Sequence, residues 1–184
     1  REQGLGDELL FANCLPDLLG VVAAASIECD RRLAPLYRRS FPQARIVPVR
    51  RPLAGEADPP AEPGDCRSWV ALGSLPRRFR RSVEAFPATG GYLKADPAKI
   101  AWWRDFLGGL GPGRKIGLCW RSSQLGGARD QRYARIDDLV PLFRQPGLRC
   151  VSLQLNLDPA ERAAAGAGLP EAPDLDLRDD VDGV

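Results

Sequence analysis

Five short apolar runs, alternating with segments of helical periodicity, constrain this chain more than any other feature. They lie at residues 26–29, 46–49, 69–72, 116–120 and 150–154. Runs of this length bounded by turn residues read as short, buried strands. Strands separated by helices pair in parallel, because a parallel neighbour can be reached only through a crossover. The expectation is therefore an α/β fold. Pro48 lacks a ladder donor and weakens the second strand.

The helical segments have their own punctuation. After Gly4-Leu5-Gly6-Asp7, the apolar residues Leu9, Leu10, Phe11, Cys14, Leu15, Leu18 and Leu19 recur at helical spacing, with a kink expected at Pro16. Asp30 can cap a helix through about Ser40, with Leu33, Leu36 and Tyr37 inward. Gly73-Ser74-Leu75-Pro76 leads into a basic helix expected from Arg77 to about Phe86. Asp96-Pro97 starts a further helix carrying Trp102, Trp103, Phe106 and Leu107, with the tryptophan pair expected between helix and sheet. A helix is expected over 136–143, and Asp158-Pro159-Ala160-Glu161 is another capped start. Residues 52–65, with four prolines, read as an exposed loop. The glycines of segment 108–113 suggest a hinge. The expected organisation is an N-terminal unit over 1–95, a linker helix and hinge over 96–113, and a second unit over 114–184.

Composition excludes several chemistries. The chain of 184 residues has no His, so it holds no Ser-His-Asp triad, Cys-His dyad or His-ligated metal of its own. It also lacks Met, and with it an initiator, so it is expected to be a fragment or a processed chain. Net charge is +2, from 23 Arg and 3 Lys against 24 acidic residues, too little to argue for nucleic acid. No apolar run approaches a membrane span. The five cysteines show no CxxC spacing; Cys14, Cys29, Cys119 and Cys150 lie in apolar stretches and read as buried, reduced thiols of a cytoplasmic protein.

Three segments carry possible chemistry. The glycines of Gly4-Leu5-Gly6-Asp7 let a ligand approach the backbone, yet Asp7 also suits a plain helix cap. Trp120-Arg121-Ser122-Ser123 follows a strand, where open α/β sheets bind ligands, and Arg with hydroxyls suits a phosphate; the plain alternative is a polar loop. Arg77, Arg78, Arg80 and Arg81 look like a nucleic-acid patch, but four arginines on one helix read rather as a solvated face or an ion-pair surface. The segment 108–113 is no P-loop, since Arg114 stands where Lys belongs and no Ser or Thr follows. Asp174-Leu175-Asp176 and Asp180-Val181-Asp182 match the short Asp-x-Asp pattern of metal-dependent glycosyltransferases, but in an acidic tail the match carries little, and no metal is expected.

Taken in order, the segments resemble one family. Glu2-Gln3-Gly4-Leu5-Gly6-Asp7-Glu8-Leu9-Leu10-Phe11-Ala12, Ile27-Glu28-Cys29-Asp30-Arg31-Arg32-Leu33, Leu72-Gly73-Ser74-Leu75-Pro76, Ile116-Gly117-Leu118-Cys119-Trp120-Arg121-Ser122-Ser123 and Val151-Ser152-Leu153-Gln154 look like the glycosyltransferase domain found behind tetratricopeptide repeats in many bacteria. That domain is similar to the ADP-heptose:lipopolysaccharide heptosyltransferases. The resemblance implies the GT-B fold of two facing Rossmann-like units, the second incomplete here. It also implies a first strand before Arg1 and a donor-binding half after Val184.

The activity so implied is metal-independent, inverting transfer of a sugar from a nucleotide-sugar to an acceptor hydroxyl on a glycan or protein. The nucleotide-sugar would be substrate, with no cofactor. Asp7 matches the proposed general base of the family's Gly-x-Gly-Asp turn, with Gly4 and Gly6 shaping the approach. Arg121, Ser122, Ser123 and Arg129 are expected at the donor diphosphate, and Ser74 on the acceptor side. The alternative is a non-catalytic glycan- or nucleotide-binding scaffold of degenerate transferase fold.

Overall fold

The computed structural model describes residues 4–50, 66–87, 90–122, 126–172, 176 and 180–183. The loop 52–65, Ser123 and Asp174 lie outside these. The chain is mixed α/β and divides into two compact units, Arg1–Asp96 and Pro97–Val184. The dividing point falls at the start of the Asp96-Pro97 helix, so the glycine-rich segment 108–113 belongs to the second unit.

In the first unit, α1 (Leu5–Phe11) runs through a 3₁₀ turn at Ala12–Cys14 into α2 (Leu15–Leu19). Pro16 sits in the first turn of α2, where its missing N–H has no intrahelical partner to lose. Strand β1 (Ser26–Asp30) crosses through a 3₁₀ turn at Arg31–Leu33 and α3 (Ala34–Ser40) to β2 (Arg45–Val49). The strands pair in parallel, with Ile27 opposite Ile46 and Cys29 opposite Pro48. Ala12, Cys14, Leu15, Ile27, Cys29, Leu33, Ala34, Tyr37, Phe41, Leu72 and Leu75 are buried. The Asp30 carboxylate accepts the Arg32 N–H at 3.0 Å, so Asp30 caps the turn as its sequence position suggests.

Two expectations fail in the chain that follows. Residues 69–72 are not a strand: Trp69 is 87% exposed, and only Leu72 turns inward, at the start of a 3₁₀ turn (Leu72–Ser74). The basic helix α4 covers only Pro76–Phe79. Arg80 leaves the helical region (φ −130°, ψ 56°) because its side chain turns back to Asn13 and Asp17, the latter at 2.7 Å. The four arginines therefore do not share one helix face.

The second unit opens with α5 (Pro97–Gly109). None of its residues is buried, so Trp102 and Trp103 do not wedge between helix and sheet. They pack on each other and on Phe106 along the helix, Trp102 stacking on Phe106 at 5.5 Å. Strand β3 (Arg114–Leu118), α6 (Ile136–Phe143) and β4 (Leu148–Ser152) form a second parallel crossover, with Ile116 opposite Cys150. A core of Trp120, Ile136, Cys150, Leu157, Ala165 and Leu169 lies against it. Both strands end about two residues earlier than the apolar runs suggest. Beyond the ladder, the Trp120 and Arg121 N–H groups are taken by the Gln154 side chain. Helix α7 (Pro159–Ala165) carries a complete capping box between Asp158 and Glu161. Gly113 has φ +123°, and a Cβ there would meet the Gly147 carbonyl at 2.6 Å. Only glycine fits this approach, from which Arg114 N–H bonds Gly147 O at 2.8 Å.

All five cysteines are free. Cys14, Cys29 and Cys150 are buried, but Cys119 is exposed, because the early end of β3 leaves it outside the ladder. Among the described residues no helix is long and apolar enough to cross a membrane, and no group of three His, Cys, Asp or Glu could hold a metal.

Candidate functional site

The first unit builds its candidate site at the start of α1. Gly4 is the N-cap, in extended conformation (φ −123°, ψ 153°), and the Glu8 N–H bonds its carbonyl at 3.0 Å. Leu5, Gly6 and Asp7 fill the first turn, so Asp7 is not the cap residue that the plain reading made it. Its carboxylate folds back over Gly4, where an added Cβ would lie 2.9 Å from Asp7 Oδ2. Gly6 faces open space. Asp7 is exposed. An acid in the first turn is favoured by the helix dipole; being exposed, it is also available as a base. Ser74 is exposed at the end of the 72–74 turn, which packs against α1 through the buried anchors Leu72 and Leu75.

One residue on, the environment inverts. Glu8 is wholly buried. Its carboxylate accepts the Asp30 N–H at 2.9 Å, and its carbonyl accepts the Tyr37 hydroxyl at 3.0 Å. Asp30 is itself held by Arg32, Nε to Oδ1 and Nη2 to Oδ2, each at 2.9 Å. Burial, with Glu8 and Asp30 close by, pushes the Cys29 thiol up to about 12. Burial also raises the Tyr37 hydroxyl well above its usual range, so it stays a donor. The sequence sets Glu8 one helical step, about 100°, away from Asp7, but the apolar pattern of α1 does not show that it is buried and paired. A signal was present: Glu8, Ala12 and Leu15 stand at i, i+4 and i+7, the spacing of one helix face.

The second unit builds its site at the carboxyl ends of β3 and β4. Gln154 is the clamp. Its Oε1 accepts the N–H groups of Trp120 and Arg121, both at 3.1 Å, and its Nε2 donates to the carbonyls of Arg121 and Leu155. Arg121 Nε donates to Glu161 Oε1 at 2.7 Å and its Nη2 donates to Glu161 Oε2. Nη2 also reaches the Asn156 carbonyl at 2.8 Å, whereas Nη1 has only a long contact to Ser122 O at 3.5 Å. Glu161 further accepts the Trp120 indole N–H at 2.9 Å. The Arg121 guanidinium holds the Glu161 carboxyl down at about 2, and Glu161 raises Arg121 in turn. Asn156 stands at φ +57°, the left-handed region that Asn tolerates, where its carbonyl reaches Arg121.

Of the residues expected at a diphosphate, Arg121 is thus paired internally and Ser122 is exposed. Ser123 lies outside the described residues. For Arg129 only the backbone is described, in the 3₁₀ turn Gly127–Arg132. Asp180, from the second Asp-x-Asp, is ion-paired with Lys99 at 2.6 Å.

Comparison with known proteins gives one informative likeness. The chain is similar to Protein FlbA of Caulobacter vibrioides. The two are 37% identical over 196 aligned positions, which cover 100% of this chain and 33% of that protein. The chain therefore spans about a third of the length of the curated relative it matches. No family model matches, and no solved structure matches.

Proposed function

We propose that this chain is part of a GT-B-type, metal-independent inverting glycosyltransferase of the cytoplasm, which uses a nucleotide-sugar donor and is joined to tetratricopeptide repeats upstream. The observation that carries the reading is the contrast within α1. Asp7 is exposed beside two glycines, while the adjacent carboxylate, Glu8, is buried and tied. Of these two carboxylates Asp7 is the one open to solvent, which supports it as the base. In the proposed step the acceptor oxygen attacks the anomeric carbon and its proton passes to the Asp7 carboxylate. The bond from that carbon to the diphosphate oxygen breaks, and its electron pair leaves on the diphosphate. Help of this kind is worth about 10²–10⁴-fold. On this reading the loop beginning at Arg121 and Ser122 would be the diphosphate side of the second unit, and Ser74 the acceptor side of the first.

One observation favours the scaffold reading. The guanidinium expected at the diphosphate is already paired with Glu161, so a donor would have to compete for it or use other groups.

The test is Asp7→Asn in the full-length protein, assayed for transfer and donor hydrolysis across nucleotide-diphosphate sugars, with and without chelator. The expected outcome is wild-type turnover in chelator, and normal folding and donor binding with most turnover lost in the variant. Donor binding without turnover in the wild type would establish the scaffold instead.

A further inference from the structure

We propose that Glu8 is the positioning residue of the Asp7 turn, a role that rests on the reading of Asp7 as base. Helix α1 has only seven residues before the 3₁₀ turn. An isolated helix of that length is not stable in water, so its place is set by what it is tied to. The Tyr92 hydroxyl holds it at the Leu9 carbonyl, and Glu8 supplies three more ties, of which the one through its carboxylate depends on the side chain. Its N–H closes the first turn on Gly4 O at 3.0 Å. Its carboxylate holds the end of β1 through Asp30 N–H at 2.9 Å. Its carbonyl takes the Tyr37 hydroxyl of α3 at 3.0 Å.

Asp7 and Glu8 share a peptide bond, with Cα atoms about 3.8 Å apart. One helical step, about 100°, separates their directions. With Glu8 held inward at β1 and α3, Asp7 must stand outward. A bare helix cap would need none of this. The turn could close on Gly4 with an apolar residue at position 8, which would suit the buried site better than a carboxylate unless its hydrogen bonds matter. Misplacing a reacting group by about 1 Å can cost about 10²-fold in rate. Loss of the tie should therefore appear in kcat and not in donor binding.

The test uses the full-length protein with Glu8→Ala, Glu8→Gln and Tyr37→Phe. It measures kcat, donor KM, the pH profile of kcat and hydrogen exchange of the amides at 5–9. Glu8→Ala should lower kcat by about 10- to 100-fold at unchanged KM, keep the ascending limb of the pH profile, and speed exchange of the residue-8 amide about 10-fold at unchanged exchange elsewhere. Glu8→Gln keeps an oxygen for the Asp30 N–H and should restore kcat to within about 3-fold of wild type. Tyr37→Phe leaves the carboxylate and removes one tie, with an intermediate loss. A folded Glu8→Ala with wild-type kcat and wild-type exchange over 5–9 overturns the proposal. If Glu8→Ala does not fold, Glu8→Leu, which fills the buried site but offers no acceptor to the Asp30 N–H, takes its place, and wild-type kcat and local exchange in it overturn the proposal. The exchange readout does not depend on catalysis. Full turnover in Asp7→Asn therefore refutes the base while the tie is still judged by exchange.

Discussion

Replacing Glu161 by Gln should remove most of what the strand-end node of the second unit contributes to stability. Glu161 and Arg121 are 13% and 8% exposed, and their pairing is two-pronged. Holding the carboxyl at about 2 instead of its ordinary 4.5 corresponds to about 3 kcal/mol of stability at neutral pH. The amide imitates the protonated acid: it can still accept from the Trp120 indole but leaves the Arg121 charge without its counter-ion. The expected loss for Glu161→Gln at pH 7 is therefore about 2–3 kcal/mol, near the lower end for breaking a buried pair. The sign with pH follows from the depressed value. The contribution is full above about pH 5, the upper edge of the unfolded-state titration, and fades as pH falls through the native value of about 2. Urea unfolding of wild type and variant at pH 7, 4 and 3, followed by circular dichroism, measures this. The gap between the two proteins should narrow steadily as pH falls. A gap below about 0.5 kcal/mol at pH 7, or one equally large at pH 3, would refute the reasoning.

Further predictions concern two glycines and the free thiols. Gly113→Ala must carry a side chain at φ +123° into the Gly147 carbonyl, 2.6 Å away; it should cost about 2–3 kcal/mol in urea unfolding, whereas Gly109→Ala, facing open space inside α5, should stabilise by up to about 1 kcal/mol. Of the five free thiols, exposed Cys66 and Cys119 should react with a water-soluble disulfide reagent at pH 8 within minutes, while Cys14, Cys29 and Cys150 should react only on unfolding, because they are shielded and burial raises the pH at which they ionise, for Cys29 to about 12. Mass spectrometry of the labelled native protein reads this directly.

The alternation of strands and helices was legible because it rests on local pattern, and both parallel pairs come from runs read as strands. The capped starts at Asp30 and Asp158 were equally legible, being chemistry within three residues. What could not be read was long-range pairing. Trp69-Val70-Ala71-Leu72 has strand composition, but β propensity reports fit to a half-buried surface, and Trp69 is 87% exposed, with no such surface against it. The run from Arg77 lost its helix at Arg80 to acceptors more than sixty residues earlier. Arg121 looked free for a phosphate because its partner, Glu161, lies forty residues downstream. Glu161 was visible as half of a capping box, but nothing local showed that the same carboxylate would also hold an arginine and an indole. Glu8 stayed hidden because the apolar neighbours of α1 drew attention to Leu9 and Leu10, and Leu10 is 60% exposed.

The parallel pairing of both sheets also bears on assembly. Ser26 meets Arg45 across nineteen residues of chain, whereas Arg114 meets Leu148 across thirty-four. Closing the longer loop costs about 0.5 kcal/mol more entropy, and neither sheet can zip from a hairpin, since each must first fold its crossover. Refolding of this chain should therefore be slow for its helix content and begin in the β1–α3–β2 segment. The α1 turn docks onto that segment through Glu8, so its amides should gain protection from hydrogen exchange only after those of β1 and α3 during refolding.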